Sequence, residues 1–277
     1  MSVNLIVNAD DYGRTQAISA GIRFAHLHGI VTSTTAMMNM PHVDADLEKA
    51  VQECPHLGLG LHLVLTSGKP VLPASRLPSL VEQDGRFPSA DRFLDFMPTL
   101  DSQQVRAEWS AQVEKFVQVT GRNPDHLDSH HHTSYLSPTL FRIMLEITQQ
   151  LGCGIRPPLS ENSENLPLDL PPELASQPMD FIPSLLSEFN PPHPGNFYSS
   201  FYDQNATLDS MLNLLAGLTE GVSEIMCHPG FVDPEILTGS SYNAQRESER
   251  QILTDPILLE FMQDNLIHLK NYSHLVG

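Results

Sequence analysis

Two adjacent carboxylates, Asp10 and Asp11, stand directly after an apolar run near the start of the chain, in the segment "LIVNADDYG" at residues 5–13. Neighbouring like charges repel each other, and both lose hydration when they are partly buried. A bound cation would stabilise them as anions. Two aspartates after a strand are also common as turn or helix-cap residues, so this pair needs partners elsewhere in the chain.

Three histidines occupy the same kind of position, at or near the end of an apolar run. His62 lies in "LGLGLHLVL", His130 follows "DHLDS", and His228 follows "EIMC". Each one alone has an ordinary explanation as a core, surface or turn residue. Together with Asp11, however, His62 and His130 form a carboxylate and two imidazoles. This is a three-ligand set for a divalent metal, with positions left open for water and substrate.

The elements that carry these residues alternate between strands and helices. The predicted strands are "VNLIVNA", "IVTSTTAMMN", "LGLGLHLVL", "DHLDSHH", "CGIRP", "SEIMCHPG" and "LIHLKNY". The helical segments between them are 15–29, "VDADLEKAVQEC", 101–120, 137–151, 206–219, 243–252 and 255–265. Such alternation predicts a parallel sheet with right-handed crossovers. Six or seven repeats favour an α/β fold of the distorted (β/α) TIM-like barrel type, in which the C-terminal ends of the strands collect catalytic residues on one face.

One domain is expected over residues 1–277, because this length, with 40% hydrophobic residues, is enough for a single large core. Two proline-rich regions, at about 65–100 and 157–205, predict long loop excursions from the compact body. Loops of that length could form walls around the barrel face. The sequence therefore predicts a single domain with loop insertions beside the candidate site.

The composition restricts the partners and the compartment. A formal net charge of −18 argues against nucleic acid and anionic membranes, since both require basic patches. The chain lacks an apolar stretch of about 20 residues and an N-terminal signal pattern, so we expect a cytoplasmic protein. The three cysteines, Cys54, Cys153 and Cys227, are widely spaced and are predicted to be reduced core residues.

Five segments together resemble the YdjC-like carbohydrate deacetylase family, in order and over about residues 4–256: "IVNADDYG", "GIVTSTTAMMN", "GLHLVLTSGKPV", "DHLDSHHH" and "EIMCHPGFVD". The resemblance implies a distorted (β/α) barrel, a divalent metal, usually magnesium, and deacetylation of N-acetylated amino sugars such as diacetylchitobiose. A homodimer is a further expectation from the family. On the matching positions the metal ligands are Asp11, His62 and His130. Asp10 takes the position of the catalytic base, and His228 that of the general acid.

The sequence departs from the family pattern at one point. After "DSHHH" the family often continues with Val-His, where this chain has Thr133 and Ser134. If the absent histidine shapes the pocket, the preferred sugar differs. Four aromatic residues of the second loop region either stack on a sugar ring or pack that loop against the barrel: Phe197, Tyr198, Phe201 and Tyr202.

The same roles follow from the chemistry of amide hydrolysis, which needs an activated water, a stabilised oxyanion and a protonated leaving amine. A divalent metal would lower the pKa of the water and polarise the acetyl carbonyl. Asp10, next to the metal ligand Asp11, is expected to take the proton of the water. His228, from a distant strand on the same face, would protonate the nitrogen from the other side.

Further polar residues near these motifs have open roles. Asp128 is expected to orient a ligand histidine. Arg156 either holds Asp10 ionised, contacts sugar hydroxyls, or forms a structural ion pair. His131 and His132 are candidates for sugar contacts or for neighbours of the metal ligands.

Two other functions remain open from the sequence. A metal-dependent phosphoesterase would use the same face, although such sites often hold two metals about 3.5–4 Å apart or a glycine-rich phosphate cradle. A non-catalytic sugar-binding or regulatory protein could keep a vestigial metal site. The metal itself is also open, because two imidazoles and a carboxylate suit zinc, cobalt, manganese or iron at least as well as magnesium.

Overall fold

In the computed structural model, which describes residues 2–157 and 180–276, eight parallel strands of these residues form one continuous sheet. Within them the strands are β1 (Val3–Tyr12), β2 (Ser33–Ala36), β3 (Gly58–Leu63), β4 (His126–Ser129), β5 (Gly154–Ile155), β6 (Asn196–Tyr198), β7 (Gly221–Cys227) and β8 (Ile267–Leu269). The strand order is β5-β4-β3-β2-β1-β7-β6, and β8 pairs with β1.

The sheet curls into a half-barrel around β1, its longest strand. β7 pairs with β1 from Val3 to Ala9, while the other side of β1 is shared by β8 at the start and β2 towards the end. Across the gap between the two edge strands, the backbone N–H of Ile155 donates to the carbonyl oxygen of Pro192 at 2.9 Å. The α/β fold predicted from the sequence, a distorted TIM-like barrel, is therefore confirmed.

Helices connect the strands and pack on the outer face of the sheet. They are Gln16–His28, Val43–Glu53, Ala90–Phe96, Ser102–Thr120, Pro138–Leu151, Phe181–Phe189, Leu208–Ala216, Pro234–Gly239, Ala244–Leu253, Pro256–Asp264 and Ser273–Val276. Their ends follow the capping signals of the sequence. For example, the side chain of Asp101 accepts a hydrogen bond from the N–H of Gln103 at the start of a long helix, which Gly121 ends in the left-handed conformation. Among the described residues, no helix is both long enough and apolar enough to cross a membrane.

The two predicted loop regions contain more regular structure than the sequence indicated. The helix Ala90–Phe96 lies in the first region, and the helix Phe181–Phe189 and the strand β6 lie in the second. β6 has only three residues and follows the segment "NPPHPG", whose prolines and glycine are typical of a loop. Residues 158–179 of the second predicted loop region are outside the part of the chain that the structure describes.

The interior of the half-barrel is polar, because side chains alternate along each strand. In β1, Leu5, Val7 and Ala9 belong to the hydrophobic core. Asn8 points to the other face, where its side-chain amide donates to Thr35 Oγ1 at 3.3 Å. The fold thus places Leu5, Val7 and Ala9 under the helices and the polar groups of the site on the inner face, which Ile6 shares with Asn8.

Candidate active site

A break in the strand β1 explains the pair of adjacent carboxylates. In a regular strand, Asp10 and Asp11 would point to opposite faces of the sheet. The pairing of β1 with β2 shifts register between Ala9 and Tyr12, and Asp11 has a φ of 69°. Aspartate tolerates this left-handed conformation better than most residues. As a result both carboxylates are buried and line the same cleft at the C-terminal ends of the strands.

The three predicted metal ligands converge in this cleft. Oδ1 of Asp11 lies 3.0 Å from Nδ1 of His130 and 3.6 Å from Nε2 of His62. The two ring nitrogens are 3.3 Å apart. All three side chains are buried, and their donor atoms are close enough to one another to share one ion. A carboxylate oxygen and two imidazole nitrogens from β1, β3 and the end of β4 therefore fit a divalent metal.

The carboxylate of Asp128 orients the ring of His62. Its Oδ1 is 2.6 Å from Nδ1 of His62, and its Oδ2 accepts a hydrogen bond from Thr35 at 3.0 Å. This pairing leaves Nε2 of His62 facing Asp11 and His130. Burial alone would lower the pKa of His62, but Asp128 and the two neighbouring aspartates raise it to about 9. The pKa of His130 is lowered by burial, which favours its neutral, ligating form.

A second group of potential ligands consists of Asp10, His62 and Asp128. Its two carboxylates are already paired with the guanidinium of Arg156. The guanidinium of Arg156 donates to both oxygens of Asp10 at 2.7 and 2.6 Å. It also lies 2.8 Å from Oδ2 of Asp128 and 2.9 Å from Glu224. Arg156 engages both oxygens of Asp10, whereas Oδ1 of Asp11 faces two imidazoles, so the group around Asp11 is the better candidate for a metal.

Arg156 also keeps the carboxylate of Asp10 ionised. Burial raises the pKa of Asp10, but the bidentate guanidinium outweighs it and holds this pKa well below its usual range. Arg156 is itself fully buried and is fixed from behind by Glu224, which in turn accepts a hydrogen bond from Tyr272. Of the roles open for Arg156 in the sequence, its contacts favour holding Asp10 ionised.

Asp11 has an arginine partner that the sequence did not indicate. Nη2 of Arg246 lies 2.5 Å from Oδ2 of Asp11, on the side away from the two ligand histidines. Burial raises the pKa of Asp11, but His130 and Arg246 together lower it well below its usual range. Arg246 belongs to the helix Ala244–Leu253, whose segment "AQRESERQIL" is so polar that it is typical of a solvated surface helix.

His228 stands at the end of β7 in the same cleft, held through its backbone and its ring. Its backbone N–H donates to Oε2 of Glu249, and the hydroxyl of Tyr242 donates to Oε1. The rings of Tyr202 and Tyr242 stack at 4.3 Å, and the imidazole of His228 meets both at their edges. Burial raises the pKa of Glu249 to about 7. The sequence did not indicate Glu249 either, because it lies on the same polar helix as Arg246.

The remaining candidates divide between the cleft and the core. His131 and His132 have φ values of 51° and 53° and line the cleft, and Nδ1 of His131 is 2.9 Å from Thr66 Oγ1. Thr133 and Ser134 are buried and are not among the cleft-lining residues.

The four aromatic residues of the second loop region also separate into two groups. Phe197, Tyr198 and Phe201 are buried and pack the segment against the barrel. Tyr202 lines the cleft beside His228. The packing explanation thus holds for three of the four residues, and only Tyr202 is positioned to meet a ligand.

The fold and the site define a class of protein: a (β/α) barrel with a carboxylate–histidine centre at the C-terminal ends of its strands. The chain belongs to the YdjC-like protein family, whose model matches residues 4–264. It is 36% identical over 275 residues to a carbohydrate deacetylase of Thermoanaerobacter pseudethanolicus, covering 98% of each chain. It is 35% identical over 257 residues to a chitooligosaccharide deacetylase of Salmonella paratyphi C, covering 92% of each.

A solved structure supports the same assignment. The EF3048 protein of Enterococcus faecalis V583, named for cellobiose-phosphate cleavage, superimposes with a TM-score of 0.85 at 33% identity and covers 99% of both chains. The YdjC-like resemblance drawn from the motifs of the sequence is thus confirmed over nearly the full chain.

Proposed function

We propose that this protein is a metal-dependent carbohydrate deacetylase that removes the acetyl group from N-acetylated amino sugars such as diacetylchitobiose and releases acetate. One observation carries the proposal. A buried carboxylate–imidazole group, Asp11, His62 and His130, lies in one cleft with a separate carboxylate, Asp10, and a separate imidazole, His228. The deacetylase names of two relatives at 35–36% identity support the same reaction class.

The metal would be held by Asp11, His62 and His130. A divalent cation bound there lowers the pKa of water and polarises a carbonyl oxygen. With two nitrogen donors and one oxygen donor, the group suits zinc, cobalt, manganese or iron better than magnesium, which prefers oxygen ligands. We therefore propose a transition metal, although the family resemblance implies magnesium.

Asp10 and His228 divide the proton transfers in this proposal. Arg156 keeps Asp10 ionised, and each oxygen of the carboxylate has a second lone pair through which it can accept the proton of the attacking water. His228 donates a proton to the nitrogen as the bond between carbon and nitrogen breaks, which lets the amine leave in neutral form. The backbone bond to Glu249 and the edge contacts with Tyr202 and Tyr242 fix the position of His228.

The lining of the cleft suits a small neutral sugar. The stacked pair Tyr202 and Tyr242 offers a rigid aromatic face beside His228, of the kind on which the apolar face of a sugar ring packs. Serine hydroxyls at Ser240 and Ser241 line the same cleft and supply polar partners for sugar hydroxyls.

Glycosidic cleavage, for which the Enterococcus faecalis relative is named, is less well supported. A glycosidase normally needs one carboxyl group that stays protonated and a second that acts as nucleophile or base. Arg156 and Arg246 instead hold Asp10 and Asp11 as anions. The phosphoesterase alternative is weakened as well, since Arg156 occupies the place where a second metal would bind between Asp10 and Asp128.

Incubation of diacetylchitobiose with the metal-loaded protein tests the proposal. Mass spectrometry should show a loss of about 42 Da per event, with one acetate released by metal-assisted hydrolysis. Protein carrying His62→Ala serves as the control, because it lacks one ligand of the proposed metal group and should be inactive. Appearance of N-acetylglucosamine without acetate would contradict deacetylation, and phosphate release from model esters would favour the phosphoesterase.

A further inference from the structure

Arg246 is a buried cation with an unusual set of contacts. Only 2% of the residue is exposed. Its Nε donates to the carbonyl oxygen of Tyr242 at 3.0 Å, and its Nη2 donates to Oδ2 of Asp11. Nη1 is buried and has no hydrogen-bond partner among the described residues, although the side chain lines the cleft. The backbone carbonyl of Arg246 accepts from the N–H of Gly230, which anchors the helix to the loop after β7.

These contacts divide the two oxygens of Asp11 between two tasks. Oδ1 faces His62 and His130, whereas Oδ2 is occupied by Arg246. A carboxylate can bind a cation through one oxygen or through both. Each coordination position taken by a second protein oxygen is lost to water or substrate, and catalytic metal sites keep such positions open.

We propose that Arg246 is a positioning residue that restricts Asp11 to one metal-ligating oxygen and lowers the affinity of the site for the metal. The inference rests on the proposed function and adds to it the control of open coordination positions. This role explains why an arginine is buried beside the proposed cation site. The guanidinium lowers the affinity for the metal and keeps a coordination position open for water or substrate.

The sign of the effect on metal affinity distinguishes this role from a structural one. Arg246 and Arg14 both act on Asp11 electrostatically, and positive charge near the carboxylate opposes a second cation. Removing the charge of Arg246 frees Oδ2, so the metal should bind more tightly. If Arg246 only held Asp11 in place, its removal would loosen the ligand and weaken binding, the usual result for partners of metal ligands.

The test uses Arg246→Met and measures Co²⁺ binding to metal-free protein by calorimetry. We expect a dissociation constant about tenfold lower than that of the wild type, because the repulsion between the guanidinium and the metal is removed. The visible absorption of bound Co²⁺ should become weaker, as it does when its coordination number rises, and turnover should fall by about tenfold or more. Arg246→Lys, which keeps the charge, should stay near the wild-type affinity. If the Met variant does not fold, Arg246→Gln, which keeps a polar head, replaces it.

Arg250→Met provides a matched control on the same helix. Arg250 lies one turn further on, pairs with Glu247, and packs over the rings of Phe24 and Phe231. Its loss should leave the dissociation constant and the spectrum of Co²⁺ unchanged. An unchanged or higher dissociation constant in Arg246→Met, with a wild type that binds Co²⁺, overturns the role of Arg246 alone. A wild-type protein that binds no divalent metal overturns this role together with the metal site of the proposed function.

Discussion

Oδ1 of Asp128 lies 2.6 Å from Nδ1 of His62, so the carboxylate determines which nitrogen of the imidazole faces Asp11. Such a partner fixes the tautomer of a ligand histidine and increases its basicity. From the sequence we expected Asp128 to orient a ligand histidine, and in the structure the histidine that it contacts is His62. Asp128 lies behind the ring of His62, and Thr35 and Arg156 hold its other oxygen.

Replacement of this carboxylate should weaken metal binding. In Asp128→Asn the amide can present its NH₂ to Nδ1, which favours the tautomer that protonates Nε2. We expect the dissociation constant for Co²⁺ or Zn²⁺ to rise by about 10–100-fold, measured by calorimetry. Asp125→Asn is the matched control, because Asp125 pairs with Nδ1 of His126 at the same 2.6 Å outside the metal group. Equal losses in both variants would contradict the assignment.

Replacing Asp10 and replacing Asp11 should have different effects on the metal content and on the reaction rate. Asp10→Asn preserves the shape of the side chain and should retain the metal, while the rate falls by about 10²–10⁴-fold through loss of the base. Asp11→Asn should lose the metal under the same conditions. Metal content by elemental analysis and initial rates of acetate release measure the two effects. Comparable metal loss in both variants would remove the distinction between a base and a ligand.

His228→Ala should reveal the need for a proton on the leaving group. We expect normal metal content and a large fall in turnover on an N-acetyl sugar, about 10²-fold or more. The loss should be much smaller on an activated aryl acetate, whose phenolate leaves without protonation. His268→Ala serves as the control, because His268 is an exposed histidine on β8, outside the cleft. Equal losses on both substrates would point to a binding role for His228.

Glu249 should make stability depend on pH. Burial raises its pKa from 4.5 to about 7 in the folded protein, so between these values the native state binds a proton that the unfolded state has released. Stability from this group is therefore present below about pH 4.5 and is lost as the pH rises to about 7. The slope is at most about 1.4 kcal/mol per pH unit.

The comparison of Glu249→Gln with the wild type isolates this contribution. The free energy of unfolding is measured with urea at several pH values. As the pH rises across this range, the value for the wild type should fall relative to that for Glu249→Gln. Glu260→Gln, on an exposed surface of the next helix, should run parallel to the wild type. A constant difference between Glu249→Gln and wild type would show that Glu249 does not titrate there.

The convergence of the three proposed metal ligands was predictable because they share the same place in the sequence pattern. Asp11, His62 and His130 each stand at or near the end of a strand in a regular strand–helix alternation, and parallel strands bring those ends together. The left-handed turn at Asp11 was not predictable, because nothing in "NADDYG" marks a break in the strand rather than a turn after it.

Arg156 was foreseen as a possible partner of Asp10, but Arg246, Glu249 and Glu224 were harder to foresee, since their contacts depend on tertiary packing. Arg246 and Glu249 lie three residues apart on one face of a helix, and Leu253 is the only large apolar residue that marks this face in the sequence. Glu224 follows Ser223 within the strand "GVSEIMC", where a charged side chain is typical of a solvated face. The sequence does not show that Arg246, Glu249 and Glu224 are buried. They can be buried because paired charges inside the barrel replace their hydration, and those pairs form only in the folded protein.

The pairing of β1 with β8 has a consequence for the order in which the protein folds. β1 carries both aspartates, and the strand that completes its starting half, Ile267–Leu269, pairs with it across a sequence separation of 264 residues, from Val3 to Ile267. The next aromatic residue, Tyr272, binds Glu224 behind Arg156. Contacts between residues so distant in sequence form slowly. The strand that holds both carboxylates should therefore gain its last partners late in folding.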